Sequence, residues 1–252
     1  MWAEGKPGVD RVRQQLRLRG LDLCASEPEI VVVWGGDGSI LWAARHHPLS
    51  CILGLREESV GQLAEIDGGY LDYALDRLMN EDFCVEIVPQ IELSCGETRL
   101  HGLNEVYFCR EYEHATRFSV TIDGETPYKG ILFGDGCLTA TPRGSSAYSW
   151  TAGKRVILQP NERAMVFTPL SSGYLTERIC VNGTSVARPA EQIRVPADKA
   201  VVVQIHRGGL NKLATDGIDD LKTFLHLTKG DKLTFRIAAE QTKFIRLPPK
   251  PR

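Results

Sequence analysis

Few folds accommodate the stretch from residue 29 to 45, EIVVVWGGDGSILWAAR. β-Branched residues from Ile30 to Val33 run into Gly35, Gly36, Asp37 and Gly38, and apolar residues at helical spacing (Ile40, Leu41, Ala44) begin at once. The pattern predicts a strand, a glycine turn and a helix. Glycines there let the backbone reach positive φ and let a bulky ligand approach the main chain, and the first amides of the helix favour an anion. A phosphate is the natural guest. Asp37 is the odd member, because a carboxylate in such a loop repels that guest unless it holds a metal or accepts a proton or hydrogen bond.

The surrounding pattern extends this into an α/β unit. Val9, Val12, Leu16 and, more loosely, Leu18 share one face of an expected helix over residues 9 to 19. Residues 50 to 54 (SCILG) predict a second buried strand, which completes a βαβ unit and hence a parallel sheet with its ligand at the strand C-termini. His46 and His47, adjacent in sequence, cannot share a helix face and read as a solvated helix end. Leu71, Ala74, Leu75 and Leu78 mark another amphipathic helix over residues 70 to 80. From about Phe83 short alternating runs with Gly or Asp-Gly turns take over, indicating a β-rich, sandwich-like second domain over residues 83 to 230. Asp123-Gly124 reads as the clearest hairpin turn. Residues 231 to 252 are expected to supply a C-terminal strand returning to the first domain (residues 1 to 82) and a frayed Pro-Pro-Lys-Pro-Arg tail. The fold class is thus a Rossmann-like parallel α/β domain followed by a β-rich one.

Composition narrows the partners. A chain of 252 residues with net charge -2 has no global field for nucleic acid or an anionic membrane, so a small-molecule partner is expected. No apolar run approaches the roughly 20 residues of a membrane span, and no secretory leader is evident, which suggests the cytoplasm. Seven cysteines, no two closer than eleven positions, suggest neither a zinc knuckle nor a disulfide framework and read as small buried apolar side chains.

Three groups carry chemistry. The GGDG loop lacks both the Lys-Ser/Thr of a P-loop and the spacing of a dinucleotide fingerprint. Asn104-Glu105 places two polar side chains in an otherwise apolar run, which a hairpin turn or sheet edge would also explain. In residues 133 to 149, Thr141-Pro142 brakes a strand, and Gly144-Ser145-Ser146-Ala147-Tyr148 reads as a helix start lined with hydroxyls and free amides. Small residues there let a flat base or sugar approach, and Tyr148 offers a stacking face.

Taken in this order, with Gly134-Asp135-Gly136 and a late Thr215-Asp216-Gly217, the groups resemble the NAD kinase family over roughly residues 25 to 245. The glycine motif is shared with the diacylglycerol and sphingosine kinases; the Asn-Glu pair and the TPRGSSAY block are what point to a dinucleotide acceptor. The resemblance implies phosphorylation of the 2′-hydroxyl of the adenosine ribose of NAD to NADP, from ATP or polyphosphate, with Mg²⁺ or another divalent cation, in a homodimer or homotetramer. It implies Asp37 as base or orienting acceptor and Gly35, Gly36, Gly38 and Ser39 on the donor phosphates. It further implies Asn104, Glu105, Asp135, Ser146, Ala147, Tyr148, Ser171 and Asp216 on NAD, with Asp216 toward the nicotinamide end. No protein metal ligand is assigned. The competing readings are a catalytically impaired dinucleotide-binding regulator or partner subunit and a lipid kinase of the same superfamily. Where the family reads G-I-N-x-G-x-L-G-F-L, this chain has Arg56 and Glu58 in place of Asn and Gly. Arg56 then has two possible roles: to grip a phosphate bidentately, or to pair with Glu57 or Glu58.

Overall fold

A computed structural model describes residues 8–24, 26–57, 61–217 and 223–249. It divides into two compact units, residues 1–88 with 241–252, and residues 89–240.

In the first unit the chain runs through α1 (Val9–Leu18), β1 (Ile30–Trp34), α2 (Asp37–His46), β2 (Cys51–Arg56), the short β3 (Ile66–Asp67) and α3 (Leu71–Met79). β1 and β2 pair in parallel from Ile30↔Cys51 to Trp34↔Leu55, so β1, α2 and β2 form the expected βαβ unit. Alternation along β1 sorts the helices. Val32 and Trp34 join Leu53 and Leu55 in a core with Val9, Val12 and Leu16 of α1 and Leu71, Ala74 and Leu75 of α3. Val31 and Val33, buried on the opposite face, face the side that α2 covers with Ile40. Leu18 departs from the expectation. It is 71% exposed, because α1 ends there and its apolar stripe has already passed from Leu16 to solvent. His46 at the end of α2 stacks on Trp42 at 3.9 Å.

The second unit begins within β4 (Cys84–Cys95) and continues through β5 (Thr98–Gly102), β6 (Glu105–Arg110), β7 (Thr116–Ile122), β8 (Leu132–Gly134) and β9 (Gly136–Ala140). After α4 (Tyr148–Gly153) come β10 (Ala164–Leu170), β11 (Gly173–Val181), β12 (Thr184–Pro189), β13 (Ile193–Pro196), β14 (Val201–Arg207), β15 (Leu210–Thr215), β16 (Thr223–His226) and β17 (Lys232–Arg246). Six strands form an antiparallel sheet in the order β13-β10-β9-β6-β15-β16. A second antiparallel run links β17, β14, β7, β8, β11 and β12. Each sheet contributes alternate residues to one core: Val106, Phe108, Phe167 and Leu213 from the first, Phe118, Val120, Val203 and Phe235 from the second. Phe108 and Phe118 meet edge to face at 5.8 Å. This is the β-sandwich architecture expected from the alternating runs.

Asp123 and Gly124 do form a tight turn at φ 48° and 82°, with Ile122 and Glu125 exchanging both backbone hydrogen bonds. The longer hairpin, however, is closed by Asn182-Gly183 at φ 50° and 78°, joining β11 to β12. Two other expectations are corrected. Only Cys137 of the seven cysteines is buried, and Cys24, Cys84 and Cys180 are exposed, since they fall on outward positions or loops; none is in a disulfide. Nor is the chain frayed as far as Pro249. Leu247 N donates to Glu65, Tyr73 OH donates to the Pro248 carbonyl, and Arg246 pairs with Glu65; residues 250–252 lie outside the described residues.

Candidate functional site

The glycine turn continues β1 in register, with Gly35 N donating to the Leu55 carbonyl at 2.9 Å. Gly36 then stands as the residue before α2, Asp37 opens the helix, and Gly38 is exposed in its first turn. Ser39 N donates to the Gly36 carbonyl at 3.0 Å, which closes the first turn. The Asp37 carboxylate is fixed from both sides. Its Oδ2 accepts from Gln62 N and its Oδ1 from Leu63 N, each at 2.9 Å. A Cβ at Gly61 would lie 2.4 Å from Asp37 Oδ1, so the glycine is what lets this loop close on the carboxylate. An Asp in the first helical turn is also favoured by the helix dipole, whatever else it does.

Among the described residues the ion-pair partner of Arg56 is Asp67. Its Nε lies 4.0 Å from Asp67 Oδ2, because β3 pairs with the end of β2 and brings Arg56 opposite Asp67. Glu58 lies outside the described residues.

In the second unit Leu103 and Asn104 form the bend between β5 and β6, Glu105 opens β6, and one carboxylate holds all three. Asp216, in the left-handed region at φ 51°, accepts from three successive backbone amides: Leu103 at 2.8 Å, Asn104 at 2.7 Å and Glu105 at 3.0 Å. Asp216, expected toward the nicotinamide end of the acceptor, thus also has an internal role as acceptor for this bend. Its oxygens are drawn to the chain's own amides, which a turn between β5 and β6 would otherwise leave without acceptors. The side-chain amide of Asn104 makes no hydrogen bond among the described residues. Glu105 is 5% exposed, and its Oε2 is buried without a partner. Burial, and secondarily the neighbouring Asp216 carboxylate, push its pKa up to about 8.

The TPRGSSAY block is stitched to this same bend. Thr141 N donates to the Asn104 carbonyl at 2.8 Å and Thr141 Oγ1 to the Leu103 carbonyl at 2.7 Å. Residues Gly144–Ser146 form one 3₁₀ turn rather than the expected helix start, and α4 begins only at Tyr148. The hydroxyls turn inward: Ser145 Oγ donates to the Pro142 carbonyl at 2.6 Å and accepts from Leu158 N at 2.9 Å, and Ser146 Oγ donates to the Arg143 carbonyl at 3.2 Å. Gly144 has a packing reason to be small. A Cβ there would lie 2.0 Å from the Asn104 carbonyl oxygen. Both sides of that clash are backbone, so Gly144→Ala is expected to cost about 3 kcal/mol or more by forcing the bend and the block apart. Urea denaturation measures the cost, and a midpoint unchanged from the parent would contradict this packing.

Period-two alternation after Glu105 places Tyr107 and Cys109 on the same outer face of the six-stranded sheet, beside Leu138, Ala140 and Leu170. Tyr148 of α4 meets Tyr107 edge to face at 5.8 Å and 76°, which sets the plane of a ring that is 44% exposed. Burial raises the pKa of both phenols, keeping them neutral. Underneath α4, the buried Gln192 side chain donates to the Ser149 carbonyl and to Thr168 Oγ1 and accepts from Val156 N. In front of this face lies a cavity of about 810 Å³, which Tyr148, Asp135, Ser171, Cys109 and Arg110 help to line. Asp135 Oδ1 accepts from Arg110 Nε at 2.6 Å, and Arg110 Nη1 donates to the Tyr112 carbonyl at 2.6 Å. Ser171 sits at the rim in the left-handed region, φ 45°. Ala147 joins the 3₁₀ turn to α4.

Asn104, Glu105, Ser146, Ala147 and Asp216 thus belong to one cross-bonded frame, while Asp135, Tyr148 and Ser171 face the cavity. Sequence reasoning missed Tyr107, Arg110 and Gln192. Alternation from Glu105 was the available signal for Tyr107; Arg110 and Gln192 had none, since their partners are distant in sequence.

Comparison with known proteins agrees with this fold. The family model described as the ATP-NAD kinase C-terminal domain matches residues 103–247. An NAD kinase from Carboxydothermus hydrogenoformans is 28% identical over 227 residues, 87% of this chain and 74% of that protein. One from Gemmatimonas aurantiaca is 30% identical over 231 residues, 87% of this chain and 73% of that protein. Among solved structures, an NAD kinase from Archaeoglobus fulgidus in complex with ATP superposes with a TM-score of 0.74 at 17% identity, over 96% of this chain and 90% of that one. Yeast NADH kinase complexed with NADH gives 0.71 at 20% identity, over 97% of this chain but only 65% of the yeast chain. At those identities the structures speak for the fold; the family model and the sequence relatives speak for descent, and the chain belongs to the NAD kinase family.

Proposed function

We propose that this protein transfers the terminal phosphoryl group of ATP or polyphosphate to the 2′-hydroxyl of the adenosine ribose of NAD, giving NADP. One observation supports this reading above the others. The Asn-Glu pair and the TPRGSSAY block, the features that separate a dinucleotide acceptor from a lipid one, are bonded with Asp216 into a single frame beside an open cavity.

In this reading Asn104 offers its uncommitted carboxamide to the dinucleotide, and Tyr148, its plane set by Tyr107, offers a face to a flat ring. The glycine turn and the start of α2 receive the donor phosphates. Asp37 takes the proton of the ribose hydroxyl as that oxygen bonds to the terminal phosphorus, and the bond to ADP or to the shortened polyphosphate breaks. Ribose hydroxyls are poor nucleophiles, so an acceptor already oriented by two amides contributes by avoiding reorganisation. The donor set also suits a divalent cation. Each Asp37 oxygen accepts one amide and keeps a further lone-pair site, and Mg²⁺ is commonly held by one or two carboxylates with the substrate's phosphates. When bound, Mg²⁺ offsets phosphate charge. Seven free thiols are consistent with a reducing, cytoplasmic setting.

A donor and acceptor panel tests the proposal: purified protein with Mg²⁺, ATP or polyphosphate, and NAD or a lipid alcohol. NADP formation is the expected result. Absence of NADP with every donor, or preference for the lipid alcohol, would remove it.

A further inference from the structure

A second cluster of ligating side chains lies within the second unit, on the outer face of the sheet that carries β4, β5 and β17. Ile91 and Leu93 of β4, Leu100 of β5, and Leu233 and Phe235 of β17 point into the core, so alternation turns Glu92, His101 and Arg236 the other way. Glu92 and His101 stand opposite each other in the β4–β5 register. Glu240, further along β17, reaches the same imidazole. His101 Nε2 lies 3.2 Å from Glu92 Oε2 and 3.6 Å from Glu240 Oε2, and one ligand atom from each of the three residues falls within 4.8 Å of the others. Although it stands on an outer face, Glu92 is 5% exposed. Its other oxygen, Oε1, takes Arg236 Nη2 at 2.8 Å and Nε at 3.0 Å, with Arg99 Nη1 at 3.5 Å.

The two oxygens of Glu92 thus have separate duties. The arginines fix the carboxylate through Oε1, as the outer partners of a metal ligand do, and leave Oε2 directed at His101 and Glu240. In a tetrahedral site with bonds of about 2.0 to 2.2 Å, neighbouring ligand atoms stand about 3.3 to 3.6 Å apart. The two separations from His101 Nε2 agree with that edge. A proton on Nε2 reaches one carboxylate oxygen well and not both, whereas a divalent cation replaces that proton and binds all three atoms at once. We infer that Glu92, His101 and Glu240 form a site for a borderline divalent metal such as Zn²⁺, with water completing the coordination and the ion tying β5, β4 and β17 together. Selectivity follows from the ligand set. The two guanidinium charges offset the two carboxylates, so little net charge is left to attract Mg²⁺ or Ca²⁺, and the imidazole favours a metal of the zinc kind. Glu240 is exposed, which gives the ion a way in from solvent.

The test titrates the full chain, stripped of metals, with Zn²⁺ alone, by calorimetry and by thermal unfolding, alongside Glu240→Gln and His101→Gln. Glu240 is exposed, so its change does not threaten folding, and circular dichroism checks the second variant. The expected result is one equivalent of Zn²⁺ whose Kd rises at least about tenfold in each variant. The thermal midpoint of the parent should rise by about 5 to 10 °C at a Zn²⁺ concentration about 100 times Kd, and Mg²⁺ in large excess should not displace the ion. Co²⁺ bound in its place should show d–d bands without a thiolate charge-transfer band. Absence of Zn²⁺ binding, a Kd unmoved by both substitutions, or displacement by Mg²⁺ would overturn the site. So would a thiolate band, which would put the metal on an exposed cysteine such as Cys24, Cys84 or Cys180. Neither NAD nor a phosphoryl donor is present in these measurements, so their outcome is independent of the kinase reading.

Discussion

Asp37→Ala is expected to lower the rate of NADP formation by about 10²- to 10⁴-fold, the range for loss of a general base. The same change removes the acceptor for Gln62 N and Leu63 N, so it should also lower stability by about 2 kcal/mol. Asp37→Asn separates the two effects. A carboxamide oxygen still accepts one amide but does not take a proton, so the Asn variant should recover most of the stability and none of the turnover. NADP formation and thermal midpoints on both variants decide the matter. If Asn kept turnover within about threefold of the parent, Asp37 would be a clasp for the loop at Gly61 and nothing more.

A second large effect is a pH dependence centred on Glu105. Its pKa is raised from 4.5 to about 8 in the folded protein, chiefly by burial and then by Asp216. The folded state therefore binds a proton that the unfolded state gives up. The stability contributed by this group is fully present below pH 4.5, declines as pH rises and is lost once pH passes about 8. The span corresponds to about 5 kcal/mol. Glu105→Gln, neutral at every pH, should lack this decline, so the difference in unfolding free energy between variant and parent should grow in the variant's favour between roughly pH 5 and pH 9. Urea titrations across that range test it, and a difference constant to within about 1 kcal/mol would mean that Glu105 is already charged in the folded protein.

How much of this could be read from the chain depends on the range of the interaction responsible. Residues 29 to 45 form strand, turn and helix because alternation, glycine and helical spacing act within a few residues, and the structure keeps β1, Gly35-Gly36 and α2 in that order. Apolar periodicity likewise placed Val9, Val12, Leu16, Leu71, Ala74 and Leu75 inward. It failed at Leu18, where burial depends on what the helix end packs against rather than on spacing. Arg56 shows the same limit: strand pairing brings it opposite Asp67, a partner that spacing along the chain does not name. Gly144 shows that the reason for a residue can escape a reading that notices the residue, since what excludes a side chain there is the carbonyl of Asn104.

The sequence by itself determined the local grammar: a glycine turn carrying one acid, a parallel βαβ unit, alternating strands afterwards, and the motif order that resembles the NAD kinases. The tertiary structure alone decided what the polar side chains do. Asp216 meets the amides of residues 103 to 105, more than a hundred positions away, and Thr141 meets the carbonyls of Leu103 and Asn104. Buried amides and carbonyls must find partners, and in an antiparallel sandwich those partners come from whichever strand lies alongside. Hydrophobic period has no means of naming that strand.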